Sequence, residues 1–216
     1  MASTNVDKKM KSNICRVDAT QDFYVNHASR YAALTQHVDL SSIQERFANA
    51  LVPGGTLLDV GCGGGRDLRA FRQKGFQAIG LEPSKPLATI ARTYSGCEVR
   101  VGRVEDMTSL AEFDAVWACA SLVHLLRTTL PVALAHIRAA SKMGAVLFLS
   151  MQLGSGDFVA PDGRYYALYQ PHKLASAVGA AGFDVLEIWQ SGDSLEERPI
   201  RWVNLLARAG ARSAHL

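Results

Sequence analysis

The sequence predicts an α/β domain in three layers, a mainly parallel sheet with helices on both faces. Three observations carry this. Short apolar runs alternate with segments of helical period through the middle of the chain. Two of those runs, Phe113–Ala120 and Ala145–Gln152, are almost continuously apolar, as strands covered on both faces are. A glycine-rich string, Gly61-Cys62-Gly63-Gly64-Gly65, joins the first run to the helix behind it.

Taken in order, residues 1–19 have low apolar content and no period, and read as a mobile tail. Residues 20–52 read as a helical lid segment. Phe23, Tyr24, Tyr31 and Leu34 recur at helical spacing, and Ser41-Ser42 with Glu45 resembles a capping box. Pro53-Gly54-Gly55 ends that segment. Thr56–Gly61 reads as a strand, and Arg66–Lys74 as a helix closed by Gly75. Gln77–Glu82 is a strand, Ser84–Tyr94 a helix with Pro86 in its first turn, and Glu98–Val104 a strand. Leu130–Ser141, with Pro131 near its start, is the helix between the two buried strands. Residues 154–170 are a polar insertion rich in glycine and tyrosine, read as an irregular loop on the substrate side. Pro171–Ala181 is a helix closed by Gly182. Phe183–Gln190 and Arg201–Arg208 form a terminal hairpin about the charged loop Ser191–Pro199. Residues 20–216 therefore form one domain.

Composition narrows the function. Of 216 residues, 48% are apolar and 20% charged, enough to build a core and incompatible with wholesale disorder. No apolar run approaches the roughly 20 residues that span a bilayer. The polar N-terminus lacks the apolar stretch of a secretion signal. The cysteines Cys15, Cys62, Cys97 and Cys119 form no Cys-x-x-Cys pair, and two lie in apolar runs, which points to reduced thiols and a cytoplasmic location. The net charge is only +3, and the one dense basic cluster is Lys8, Lys9 and Lys11. That argues against a dedicated nucleic-acid binder. No cluster of His, Cys or Asp has metal-ligand spacing, so no metal is expected.

The chemistry centres on Asp59-Val60-Gly61-Cys62-Gly63-Gly64-Gly65-Arg66. Glycines let the backbone approach a ligand where a Cβ would clash. A dinucleotide site uses a similar glycine pattern. Here, however, Asp59 would face an incoming pyrophosphate. The string instead favours a ligand with a cationic group, such as an amino-acid ammonium. Glu82 closes the next strand, seventeen residues after Gly65. A carboxylate there can accept hydrogen bonds from both hydroxyls of a ribose.

On these residues, with the run Phe113-Asp114-Ala115-Val116-Trp117, the chain resembles the class I S-adenosylmethionine-dependent methyltransferases over about residues 20–209. The resemblance implies a seven-stranded sheet in the order 3-2-1-4-5-7-6 with the last strand antiparallel, which agrees with the terminal hairpin. It implies S-adenosylmethionine as cofactor and S-adenosylhomocysteine as product. Asp59, Gly61, Gly63 and Gly65 would line the methionine part, and Glu82 would hold the ribose. Cys62, Pro83 and Ala118 complete the expected cofactor set. Many relatives carry an acid where this chain has Arg103. The adenine amine therefore falls to Glu105, with Asp106 second and the backbone of Val104 at the ring edge.

The segment Ala118–Leu125 would pass beneath the reacting methyl. His124 is then a candidate general base, with packing against the next helix as the alternative. Cys119 reads as a buried thiol. In the insertion, Arg164, Tyr165 and Tyr166 suit a flat or anionic acceptor, and either tyrosine could remove a proton. Tyr24 and Tyr31 would contact the acceptor from the lid. The expected reaction is transfer to a nitrogen or oxygen of a small molecule, for instance a planar heterocycle. The alternatives are a tRNA-base or protein methyltransferase using Arg100, Arg103 and the lysine-rich tail, and a cofactor-binding pseudo-enzyme or regulatory subunit. The expected state is a monomer or homodimer without membrane association.

Overall fold

The computed structural model describes residues 19–194 and 199–211. The predicted tail lies outside them except for residue 19, which is already helical. Lys8, Lys9, Lys11, Cys15 and residues 195–198 of the charged loop lie outside as well.

Three short helices precede the sheet: α1 (19–26), α2 (Ala28–Thr35) and α3 (Ser41–Ala48). The expected capping box at Ser41 does not form. Asp39 lies two residues earlier and accepts the Ser41 N–H at 2.8 Å, so the orphan donor is already satisfied. The alternation follows: β1 (Thr56–Val60), α4 (Arg66–Gln73), β2 (Gln77–Glu82), α5 (Lys85–Ser95), β3 (Glu98–Val101), β4 (Phe113–Ala118), α6 (Leu130–Ala140) and β5 (Ser141–Leu153). The chain closes with β6 (Asp157–Val159), β7 (Tyr165–Tyr169), α7 (Pro171–Ala180), β8 (Phe183–Gly192) and β9 (Arg201–Ala209).

Strands β3, β2, β1, β4 and β5 pair in that order, all parallel. Strand β9 then pairs antiparallel with β5, and β8 antiparallel with β9. Counting β8 and β9 as sixth and seventh, this is the expected order with the last strand reversed.

Two elements differ from expectation. Residues 154–170 are not an irregular loop. They hold the antiparallel pair β6–β7, and β7 runs parallel to the end of β5 through Gln152↔Leu168 and Leu153↔Tyr169. The run Tyr165-Tyr166-Ala167-Leu168-Tyr169 has the aromatic content of a strand, and the surrounding glycines serve as its turns. Strand β3 is shorter than expected. It ends at Val101, and a single 3-10 turn, Val104–Asp106, follows.

Side chains alternate across the strands, so the sheet buries two apolar layers. Leu58, Val116 and Leu147 pack on Leu134 and Ile137 of α6 and Leu174 of α7. On the opposite face Leu57, Trp117 and Phe148 pack on Leu68 and Phe71 of α4. The Trp117 and Phe148 rings stack at 4.1 Å. Phe47 of α3 is fully buried in that second layer, 5.1 Å from Trp117. Helix α3 thus belongs to the core through Phe47, while α1 and α2, with Ile43 of α3, border the second cleft. Helix α2 seats Ala28 and Ala32 against Leu87 of α5.

Candidate active site

The site forms at the C-terminal ends of β1, β2 and β4, where parallel strands in such sheets leave a crevice. After β1 the backbone turns through Gly61 at φ 70° and reaches Gly65 at φ 86°, the residue before α4. A Cβ on Gly61 would fall 2.5 Å from the Cβ of Ser121, so only glycine admits the segment after β4 this close. A Cβ on Gly65 would fall 2.9 Å from the Cα of Ala91. Gly65 therefore lets α4 and α5 pack together.

Glu82 is buried. Its Oε2 accepts the N–H of Gly63 at 2.9 Å and its Oε1 the N–H of Ser84 at 2.8 Å. Burial outweighs those bonds and pushes its pKa up to about 7. Asp59 is also buried, and its Oδ2 has no hydrogen-bond partner. Burial first, then the charge of Asp67, raises its pKa well above the carboxylate range. Arg66 grips Asp67 through two bonds of 2.9 and 2.8 Å. Asp67 is held further by Trp117 Nε1 at 3.0 Å and Gln44 Nε2 at 2.7 Å.

Two clefts meet here. The first is lined by Gly61, Gly63, Glu82, Pro83, Val104 and Glu105 among others. The second opens beneath α1 and α2 and is lined by Phe23, Cys62, Arg66, Arg164 and Tyr166 among others. They share Tyr24, Tyr31, Gly61, Gly63, Ala120 and His124 as a common wall.

Several expected residues line neither cleft. Asp59 lies at the end of β1 behind the turn, and Gly65 faces Ala91. Asp106 ends the 3-10 turn, and Ala118 is fully buried in β4. In place of Ala118, the cleft takes Ala120, Ser121 and Leu122. Ala120, at φ 53°, turns the chain toward the opening. The buried Oγ of Ser121 has no partner. Both lie in the segment Ala118–Leu125 expected at the site, though neither stands out in the sequence. Arg103, noted for its departure from the family pattern, lines the first cleft.

Tyr165 and Tyr166 point to opposite sides of β7. The Tyr165 hydroxyl donates to Asp157 Oδ2 at 2.7 Å, and its ring is 1% exposed. Its side chain reaches neither cleft, which separates it from Arg164 and Tyr166 of the same segment. The Tyr166 ring lies 4.7 Å from His124 and is stacked on Phe158 at 5.2 Å. Arg164 is paired with Asp162 at 2.7 Å, sits over the Phe23 ring at 4.2 Å, and places Nη1 3.5 Å from the Tyr24 hydroxyl.

His124 is engaged at both nitrogens. Nδ1 lies 2.8 Å from the carbonyl oxygen of Tyr165 and Nε2 lies 2.7 Å from the Tyr24 hydroxyl. Burial pushes its pKa down to about 4. It is thus a neutral ring with both nitrogens engaged, so an acceptor would meet it only through Tyr24. Burial pushes the Cys119 thiol up to about 12, so it is un-ionised and a poor nucleophile. Among the described residues no three His, Cys, Asp or Glu side chains gather as a metal site, and no helix is long and apolar enough to cross a membrane.

A parallel sheet in this order, with a glycine turn after its first strand and an acid closing its second, defines the Rossmann-like S-adenosylmethionine-dependent methyltransferase class. The methyltransferase-domain family matches residues 31–188, and the chain belongs to that family. It is similar to the ubiquinone biosynthesis O-methyltransferase of Xanthomonas axonopodis pv. citri, with 30% identity over 204 residues, covering 79% of this chain and 82% of that one. The protein of the same name from Xanthomonas campestris pv. campestris is 36% identical over 113 residues, covering 48% of this chain. The match spans 45% of that relative, about half its length. Among solved structures, the 1,6-didemethyltoxoflavin-N1-methyltransferase of Burkholderia thailandensis, with 1,6-didemethyltoxoflavin and S-adenosylhomocysteine bound, has a TM-score of 0.77 and 17% identity, covering 89% of this chain and 88% of its own. The [4+2]-cyclase SpnF has a TM-score of 0.65 and 21% identity, covering 78% of this chain and 80% of its own. Both share the fold, and their different names mean that the fold alone does not choose the reaction.

Proposed function

We propose that this protein transfers a methyl group from S-adenosylmethionine to an oxygen or nitrogen of a small molecule. The observation that carries this reading is the wall shared by the two clefts. A donor in one cleft and an acceptor in the other would meet at Tyr24, Gly61, Gly63 and His124.

The residues present fit the cofactor. Glu82 offers a buried carboxylate fixed by two backbone donors, suited to ribose hydroxyls. The buried Asp59 Oδ2, without a hydrogen-bond partner behind the glycine turn, is an acceptor suited to a cationic ammonium, whose charge would offset the burial that holds this carboxyl protonated. Gly61, Cys62 and Gly63 flank the methionine part in this reading, and Pro83 the ribose. Val104 and Glu105 take the adenine edge. Gly65, Asp106 and Ala118 shape the site from behind. The cofactor's sulfonium supplies an electrophilic methyl group. The protein's own task is then to hold the acceptor in line and exclude water. Tyr24, Tyr31, Arg164 and Tyr166 surround the acceptor, and the Tyr165 carbonyl fixes His124. Relatives named for O-methyl transfer, and a fold neighbour with 1,6-didemethyltoxoflavin bound, support a small acceptor.

The RNA or protein reading loses one of its supports, because Arg100 is taken by Glu98 and Glu112 at 2.9 and 2.7 Å. A cytoplasmic location and a monomeric or homodimeric state complete the proposal. The test is incubation with methyl-labelled S-adenosylmethionine and a fractionated lysate. Label in the small-molecule fraction is expected. Label in RNA or protein selects the competing reading, and label nowhere selects a pseudo-enzyme.

A further inference from the structure

We propose that Tyr24 takes the proton of the methyl acceptor while passing its own to His124, so that the acceptor atom is a hydroxyl on a flat ring. This rests on the methyl-transfer reading above and specifies its chemistry.

A backbone carbonyl can only accept a hydrogen bond. Nδ1 of His124 stands 2.8 Å from the Tyr165 carbonyl oxygen, so Nδ1 carries the hydrogen. In a neutral ring Nε2 then holds the lone pair. The Tyr24 hydroxyl, 2.7 Å away, must donate to it. Tyr24 Oη is therefore left with lone pairs only. It stands in the wall common to both clefts. Whatever meets it there has to bring a hydrogen.

The surroundings narrow the kind of hydrogen. Burial first, then Tyr31 and Tyr166, push the Tyr24 hydroxyl well above its ordinary pKa and keep it protonated; Arg164 Nη1, 3.5 Å from the same oxygen, is the cation that opposes this. That cation disfavours an ammonium and suits a weakly acidic hydroxyl. The aromatic walls, Tyr31 at 5.0 Å from Tyr24 and Tyr166 at 4.7 Å from His124, suit a flat ring. Asp162, bound to Arg164, also acts on His124, and Glu82 and Arg66 line the same clefts. The backbone holds the arrangement in place. Ser84 Oγ donates to the Tyr24 carbonyl at 3.1 Å, and the Tyr165 N–H donates to Thr20 Oγ1 at 2.9 Å.

The step balances. The acceptor O–H bond breaks and its proton goes to Tyr24 Oη. The Tyr24 proton goes to His124 Nε2, leaving an imidazolium held by the Tyr165 carbonyl. The electron pair left on the acceptor oxygen forms the new bond to carbon. The sulfur–methyl bond breaks with its pair kept by sulfur. The imidazolium returns its proton to water once product leaves. Tyr24 is the catalytic residue here. His124 acts through it as a positioning residue and relay.

The test uses two probe acceptors, phenol and 4-nitrophenol, with methyl-labelled S-adenosylmethionine at neutral pH. Phenol titrates near a tyrosine and must lose its proton in the site, whereas 4-nitrophenol is already largely ionised. Tyr24→Phe and His124→Gln should each lower transfer to phenol by about 10²–10⁴-fold, the range for general-base catalysis. Transfer to 4-nitrophenol should fall less than tenfold, and S-adenosylhomocysteine should bind both variants as it binds the parent. Equal losses on both probes, no loss on phenol, or a parent protein that binds S-adenosylhomocysteine and methylates neither probe would overturn the proposal. Folded protein that gives no heat with S-adenosylhomocysteine would instead overturn the methyl-transfer reading beneath it.

Discussion

Glu82 Oε2 accepts the backbone N–H of Gly63 at 2.9 Å, tying the acid that closes β2 to the glycine turn after β1. One carboxylate thus braces the turn and faces the first cleft. Replacing it should affect the ligand and the turn together. Glu82→Ala is expected to weaken S-adenosylhomocysteine binding by about 1.5–3 kcal/mol, the range for hydrogen bonds to a charged group. Isothermal calorimetry on the variant checks this, with circular dichroism to establish that it is folded.

The same residue gives a pH dependence. Its folded pKa is raised from 4.5 to about 7, so the folded ligand-free protein holds a proton there that the unfolded chain has released. Stability from this group is present below pH 4.5 and is lost as pH rises through 7, by up to about 3 kcal/mol. The difference in unfolding free energy between the parent and Glu82→Gln should therefore change across that window. Parallel curves would assign Glu82 an ordinary pKa.

The two glycines should separate by role. Gly65→Ala drives a Cβ into the α5 backbone at Ala91 and is expected to destabilise the fold by about 2–4 kcal/mol. At Gly63 a Cβ would meet only the Tyr31 ring, at 3.5 Å. Gly63→Val should stay folded, at a strain of about 1–2 kcal/mol, and lose cofactor affinity. Urea denaturation and calorimetry on both variants provide the comparison.

The tyrosines of β7 should behave oppositely. Tyr165→Phe loses a bond to Asp157, costing about 1 kcal/mol of stability, and should leave turnover unchanged. Tyr166→Ala removes the ring against His124 and should lower turnover at least tenfold with cofactor affinity kept. Steady-state kinetics with the acceptor found in the lysate fractions, beside calorimetry, decides between them.

What the sequence disclosed follows from distance along the chain. Asp59–Gly65 and Glu82 were legible because a turn and the next strand end are local, and their residue types are tied to backbone geometry. The alternation gave the sheet order once the resemblance was added. His124 was legible as a candidate but not in its state. That state depends on Tyr165 and Tyr24, which lie 41 and 100 residues away. Phe47 lies within the segment 20–52 read as a lid, and only tertiary packing puts it in the core. The β6–β7 pair hid behind glycines that read as loop. Tyr165 and Tyr166 consequently seemed equivalent until strand alternation parted them.

The central claim, that this chain holds S-adenosylmethionine at the β1–β2 crevice, is tested most directly by titrating the folded, metal-free protein with S-adenosylhomocysteine in a calorimeter. The account predicts one saturable site per chain, weakened by Glu82→Ala and unaffected by a chelator. A folded protein that shows no saturable heat at millimolar ligand, or that binds it as well without the Glu82 carboxylate, would contradict it.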